Sequence, residues 1–549
     1  MKQQDEWTTY IVLFIPILLL LTFLVIPVVV VIITGLVSET GSSFIDAISN
    51  KVTQFTISFT IVQASISTIL AVLVGLPGGI LLARLKFRGK SLVRALIIVP
   101  FVLPPIVVVV GFLQMFGSYG IIDSLLMLIT HSTSSLLDLA DGFIGIILAH
   151  TFYNAPLVML LVSASMERLN PELEESAEIL GADSFARFRR ITFPHILPAL
   201  LASAILTFLF CFMSFPIVLA LGGGIYRTIE VQIWNAFRWT DYGEASSLVL
   251  IQILITITLA IAYVRLGRTS DNNSGPTSSI QTTSLNKYRT WEKVAIITYL
   301  VMVLVLIGGP IVSIFRAAFF NPVSQQYSLE GFLYLITPGS NGGLGPLINS
   351  LFYGMLAPLL SVVLGIPLAY AHRVRGRAIP TFSSIMVLLP LGISSITVAY
   401  GLMTVIAVPT GLSINPWPII VIAQTIIGLP FTARSIEIGL KSIDPNILDQ
   451  ADSLGASRLQ RLFFVEIPLL IPSILVGAIF AFAMAIGEMS ATLFIALPQN
   501  YTLSVAIYDN LGVRKFVEAG ASSLFLIAIC VAAFLIMERI SEGSTGGAI

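Results

Sequence analysis

One ionisable side chain lies in the middle of a long apolar run. It is Glu488, in AFAMAIGEMSATLFIAL (481–497). A carboxyl group at that depth of a membrane is costly and is read first as functional. It could contact a solute in transit or couple parts of the fold, or it could be a structural glutamate that hydrogen-bonds and packs neighbouring helices; both readings stand at this level. The other reactive side chains point nowhere in particular. His131, His150, His195 and His372 have no metal-ligand spacing. Cys211 and Cys530 each sit among apolar residues, as small core side chains do. Arg88-Gly89-Lys90-Ser91 has the end of a phosphate-binding loop, but the glycine required at position 84 is Arg84. No nucleophile stands beside a base. No catalytic residue, cofactor or metal is therefore expected.

The elements that carry these residues follow from composition. Of 549 residues, 56% are hydrophobic and 11% are charged, and the mean hydropathy is +0.95. A soluble domain carries about 25% charged residues, so this chain cannot cover soluble surfaces. The 29 basic residues equal the 29 acidic ones, which leaves no excess to neutralise nucleic-acid phosphates. An integral membrane protein remains, with the lipid bilayer as its solvent.

Runs of about 20 apolar residues mark membrane helices. Twelve are expected, near 10–36, 58–83, 95–116, 143–165, 196–222, 246–264, 294–317, 350–371, 382–408, 416–437, 469–496 and 521–537. The first is longer than a signal-peptide core and is read as a retained span. With the N-terminus in the cytoplasm, 23 Lys and Arg fall on the cytoplasmic side; the other 6 are Lys51, Arg227, Arg238, Arg316, Arg514 and Lys515. That bias follows the positive-inside rule and puts both termini in the cytoplasm. Acidic residues sort to one side or the other as well, with Glu488 alone belonging to neither.

The chain repeats itself. A shift of 274 residues lays Pro171, Ala177, Leu180, Gly181, Ala182, Arg187, Pro194 and Pro198 on Pro445, Ala451, Leu454, Gly455, Ala456, Arg461, Pro468 and Pro472. Upstream the shift is 290, where Gly75-Leu76-Pro77 meets Gly365-Ile366-Pro367. Six spans per half is an even number, so the repeats are parallel. The expected organisation is an all-α polytopic protein: a first six-helix module at 1–265, a cytoplasmic linker rich in Ser, Thr and Asn at 266–290, and a second six-helix module at 291–549.

The matched block centres on the loop between the fourth and fifth spans of each half. In NPELEESAEILGADSFARFRRITFP (170–194), Asn170 suits an N-cap, Pro171 the first helical position, and the early glutamates the positive helix end. Leu173, Ala177 and Leu180 recur on one face, and Gly181 ends the helix. Asp444, Pro445, Ile447, Ala451, Leu454 and Gly455 repeat the pattern. A helix lying passively on the bilayer does not need glycine at one offset and proline thirteen residues later, twice. The pattern reads as a docking element for a cytoplasmic partner.

Glu175-Ser176-Ala177 with Gly181 and Ile191-Thr192-Phe193-Pro194, and Asp449-Gln450-Ala451 with Gly455 and Val465-Glu466-Ile467-Pro468, resemble the EAA loop of ABC-importer permeases. Ser176 and Gln450 replace the family's middle alanine, and Asp449 its glutamate. Two copies in one chain resemble the fused permeases of the iron(III) and thiamine type, across about 50–270 and 345–540. The resemblance implies a type I ABC importer permease-like fold in the cell (plasma or inner) membrane. It implies that Glu175, Ala177, Leu180, Gly181, Asp449, Ala451, Leu454 and Gly455 dock two ATP-binding cassette subunits. Those subunits, as separate chains, would hydrolyse ATP and drive alternating access. An extracytoplasmic substrate-binding protein would deliver a small solute, with iron(III) or thiamine foremost. Glu488, and Ser214 at its repeat position, are the expected translocation-path residues. Gly222-Gly223-Gly224 with Thr228, Glu230 and Val231 looks more like thiamine permeases than other importers. The alternative is a secondary transporter of the major-facilitator type, which also has twelve spans in parallel halves. Gly79, Arg84 and Arg88-Gly89-Lys90 resemble its loop signature without the aspartate, and the duplicated loops stay unexplained.

Overall fold

The computed structural model describes residues 14–37, 44–86, 103–272, 283–285, 288–322, 324–339, 342–371 and 378–545, with parts of 89–100. Among them, 11 helices are long and apolar enough to cross a membrane, and one further pair passes the same test together. Helix is what such a sequence must form, because lipid offers the backbone no hydrogen-bond partner. The fold class expected from the sequence is observed. Within the linker, 273–282 and 286–287 lie outside the described residues, and 266–272 continues the helix Tyr242–Asn272.

Three expected spans are not straight rods. The stretch expected at 382–408 is two helices, Ile379–Gly392 and Ser395–Thr410, bent by 102°. Ser394 starts the second by accepting from the Thr397 amide at 3.1 Å. At the matched place in the first half stand Pro104 and Pro105, which open the helix Pro105–Phe116 and cannot continue a hydrogen-bond ladder. The fifth spans, expected at 196–222 and 469–496, end at Phe212 and Gly487, and short helices follow at Pro216–Leu221 and Ser490–Ile495.

Packing divides the chain into two compact units, Gly41–Ser328 and Met1–Thr40 with Leu329–Ile549. Each therefore contains the leading span of the other sequence half: Thr290–Ala317 in the first unit, Phe14–Leu36 in the second. In the Gly41–Ser328 unit, the second span (Lys51–Arg84) packs along the fourth (Gly142–Met166). A Cβ on Gly75 would lie 2.5 Å from Val158 Cβ, and one on Gly79 2.7 Å from Val162 Cβ. Small residues four apart let helix backbones meet where no hydrophobic force drives them together. Ala83, Val158, Val162, Met166, Ile196 and Leu200 form the core beside this contact. Tyr299, from the exchanged span, donates to the Val74 carbonyl at 2.6 Å. The other unit repeats the scheme. Gly365 faces Thr432 and Ala433, Ala369 packs with Ile436, Leu440 and Leu470, and Gly401 lies against Pro27 of its exchanged span.

Candidate functional site

The duplicated loops fold into the same elbow. Asn170 Oδ1 accepts from the Glu172 amide at 3.1 Å, and Asp444 Oδ1 from the Asn446 amide at 2.9 Å. Each cap opens a helix of 9 residues, Pro171–Ile179 and Pro445–Ser453, with proline in the first turn. Each helix closes in a paired backbone turn of the Schellman type. Ala182 N donates to Ala177 O and Gly181 N to Glu178 O; Ala456 N donates to Ala451 O and Gly455 N to Asp452 O. That turn puts Gly181 at φ +84° and Gly455 at φ +82°, the left-handed region. Asp183 and Ser457 then cap the second segment through the amides of Ala186 and Gln460. Arg187 pairs with Glu178 at 2.5 Å and Arg461 with Asp452 at 2.6 Å, so an ion pair crosses each elbow at the same repeat position.

Neither loop helix has a buried residue. Leu180 is 86% exposed and Leu454 is 89% exposed. Covering a leucine is worth about 1.5–3 kcal/mol, so both elbows hold out an apolar side chain at one fixed offset. Glu175 and Asp449 are exposed, while Ala177 and Ala451 are half-buried. The eight expected docking residues thus collect as four on each elbow.

Ser214 and Glu488 lie at the matched breaks of the fifth spans, one in each unit, and both are buried. The Glu488 carboxylate accepts from the Ala491 amide at 2.7 Å, the Thr492 amide at 2.8 Å and the Thr492 hydroxyl at 2.8 Å. It caps the short helix Ser490–Ile495. Gln424 Nε2 donates to the Thr492 hydroxyl at 3.3 Å, extending the network to the fourth span. At Ser214 the backbone carbonyl accepts from the Thr228 hydroxyl.

Glu488 is not alone among the described residues as a buried acid; Asp123, Glu437 and Glu466 are buried too. Glu230, expected on the outer side, is 1% exposed, and Gln252 Nε2 donates to it at 2.7 Å. Nearby, Glu244 accepts from Thr53 at 3.2 Å and from Gln232 at 3.0 Å. Gln252, a polar residue inside the sixth span, was the available signal. The glycine run turns through Gly223 at φ +58° and Gly224 at φ +76°. That turn brings the Tyr226 ring to Phe59 of the second span, centroids 5.3 Å apart. Thr60 there accepts from the Ile229 amide at 3.0 Å. His150 is buried against Ser67, and His195 lies 3.1 Å from the Ser165 carbonyl. Among the described residues no His, Cys, Asp or Glu cluster could hold a metal; His372 lies outside them.

Comparison with known proteins adds the following. The model of the family described as "Binding-protein-dependent transport system inner membrane component" matches the chain twice, at 75–273 and 361–542. The thiamine transport system permease protein ThiP of Brucella abortus (strain 2308) is 25% identical over 522 residues, 92% of this chain and 91% of that protein. ThiP of Escherichia coli (strain K12) is 24% identical over 490 residues, 88% of each chain. The ferric transport system permease protein FbpB of Actinobacillus pleuropneumoniae is 25% identical over 490 residues, 86% of this chain and 69% of that one. A solved bacterial ABC transporter involved in import of the acidic polysaccharide alginate aligns with 50% of the chain at 17% identity and a TM-score of 0.41.

Proposed function

Because the chain belongs to the family of binding-protein-dependent transport system inner membrane components, we propose how this ATP-driven importer permease engages its partners and what it carries. The two elbows dock two separate ATP-binding subunits on the cytoplasmic side. Glu175, Ala177, Leu180 and Gly181 enter one, and Asp449, Ala451, Leu454 and Gly455 enter the other. The observation that carries this reading is the exposed leucine one residue before a left-handed glycine, presented twice on an identical turn. ATP binding brings the subunits together, the docked elbows follow, and the two modules change from inward- to outward-facing. An extracytoplasmic binding protein delivers the solute. Both termini lie in the cytoplasm in this reading, which the basic-residue bias supports.

Thiamine is the first substrate to test and iron(III) the second. The chain is similar to thiamine permeases along nearly their whole length and to the ferric permease along a smaller share of it. Ser214 and Glu488 mark where the fifth spans break, and the solute passes at these breaks. A continuous helix has no free backbone groups to offer a solute, whereas a broken one has. The docking assignment is tested with Gly181→Asp and Gly455→Asp. Both variants should insert into the membrane at normal levels while losing the co-purifying ATPase and ATP-driven uptake. Full ATPase recovery with both would refute the assignment.

A further inference from the structure

The elbows are not only presented; each is braced against the spans behind it, and the two braces differ. In the Gly41–Ser328 unit, Glu174 lies on the loop helix. Its carboxylate is bound by Arg84, the last residue of the second span, and by the hydroxyl of Thr192 at the foot of the fifth span. Arg84 Nη2 also reaches the Thr192 hydroxyl at 3.3 Å. One carboxylate therefore joins three elements: the loop helix, the second span and the fifth span. Thr192 is buried, and Arg84 and Glu174 are 33% and 24% exposed.

In the other unit the repeat position of Glu174 is Leu448, and that of Thr192 is Glu466. The carboxylate has moved from the loop helix to the foot of the fifth span. Glu466 accepts from Tyr370, the end of the second span, at 2.7 Å, and from Arg461 Nε at 2.9 Å. Arg461 in turn holds Asp452 of the loop helix. The same three elements are joined, but the loop helix is reached through one more residue.

We propose that Glu174 and Glu466 are positioning residues for transport: struts that make the second and fifth spans move with a docked loop. This rests on the docking assignment above. The first loop helix is locked directly to its second span. The second is locked through Arg461, so the two elbows are mechanically inequivalent. These groups touch neither ATP nor solute, and their loss leaves the exposed docking face as it is. What fails is transmission: ATP is hydrolysed while the spans no longer follow the loop.

The test uses the assembled complex of full-length permease and ATPase in nanodiscs. Spin labels are placed at Glu172→Cys on the loop helix and at Lys86→Cys beyond the second span, both positions exposed. With the strut intact, trapping with ATP and vanadate should leave the inter-label distance unchanged, because helix and span move as one body. With Arg84→Met or Glu174→Gln, the ATPase should still co-purify, and trapping should shift or broaden the distance distribution. The charge exchange Arg84→Glu with Glu174→Arg should restore the unchanged distance, an outcome that a general packing role would not give. An equal trapping shift with and without Arg84, or no shift in any variant whose ATPase is bound, overturns the strut. Gly181→Asp is the separate control for docking. If full ATPase is retained with it and with Gly455→Asp, the docking assignment fails, whatever the labels report.

Discussion

Replacing Gly181 by alanine should weaken ATPase binding through backbone conformation alone. Gly181 has φ +84°, and no atom lies within 4 Å of the position a Cβ would take. The methyl group therefore meets nothing in the permease, and the whole cost is that of holding an L-residue in the left-handed region, about 1–2 kcal/mol. The helix it terminates has no buried residue to resist that strain, so the elbow relieves it by opening. An equilibrium shift of that size lowers the closed-elbow population by up to about 5–30-fold. The apparent Kd of the ATPase rises by the same factor, since binding must first select the closed form. Asparagine tolerates the left-handed region better than other residues, so Gly181→Asn should recover most of the loss despite its larger side chain. The assay is titration of purified ATPase onto nanodisc-held permease carrying wild-type Gly181, Gly181→Ala or Gly181→Asn. Equal binding by Gly181→Ala and wild type would refute the conformational argument. Weaker binding by Asn than by Ala would show that space in the partner's groove decides the matter. Gly455, at φ +82°, should behave the same way.

Glu488→Ala removes the acceptor of two amides and a hydroxyl, each costing about 1–3 kcal/mol when left unpaired. It should lower the thermal midpoint in nanodiscs much more than Glu488→Gln does. Glu488→Gln should fold yet lose uptake, and unchanged uptake would reduce Glu488 to a helix cap. Gly75→Leu drives a side chain into Val158 and should destabilise the Gly41–Ser328 unit by about 1–3 kcal/mol. Gly345→Ala, with nothing near its Cβ, should be tolerated in the same unfolding assay. A double-mutant cycle on Arg187 and Glu178 should give only about 0–1 kcal/mol, because Glu178 is 66% exposed; a larger value would mean that the ion pair, not the paired backbone turn, holds the elbow.

The elbows were legible in the sequence because local rules govern them. Asn170 and Asp444 cap through their own side chains, Pro171 and Pro445 open the helices, and Gly181 and Gly455 close them, all within a few residues. The same locality gave the apolar spans. Breaks inside spans were harder. The stretch 382–408 is apolar enough to read as one span, although Pro390, Gly392 and the Ser394 cap cluster at the 102° bend. Glu488 stood out as an acid within an apolar run, but its hydrogen bonding as a cap depends on the Thr492 hydroxyl and on where the helix stops, which apolar runs do not encode. The burial of Glu230 was not legible, because a charge count cannot see the Gln252 amide that receives it within the fold. The exchange of leading spans between the compact units was also out of reach. It depends on long-range contacts such as Tyr299 with Val74 and Pro27 with Gly401, and neither leaves a periodic trace. Nor could the unequal struts be foreseen, since Arg84 and Glu174 are 90 residues apart.

A permease driven by ATP through docked subunits transports only with those subunits present. The most direct measurement is solute uptake by proteoliposomes containing the chain with its ATPase and binding protein, with labelled thiamine and labelled iron(III) as probes. ATP supplied on the ATPase side should drive uptake of one of them, and Gly181→Asp with Gly455→Asp should abolish it. Uptake by the purified chain alone, powered by an imposed proton gradient and indifferent to ATP, would rule out ATP-driven import.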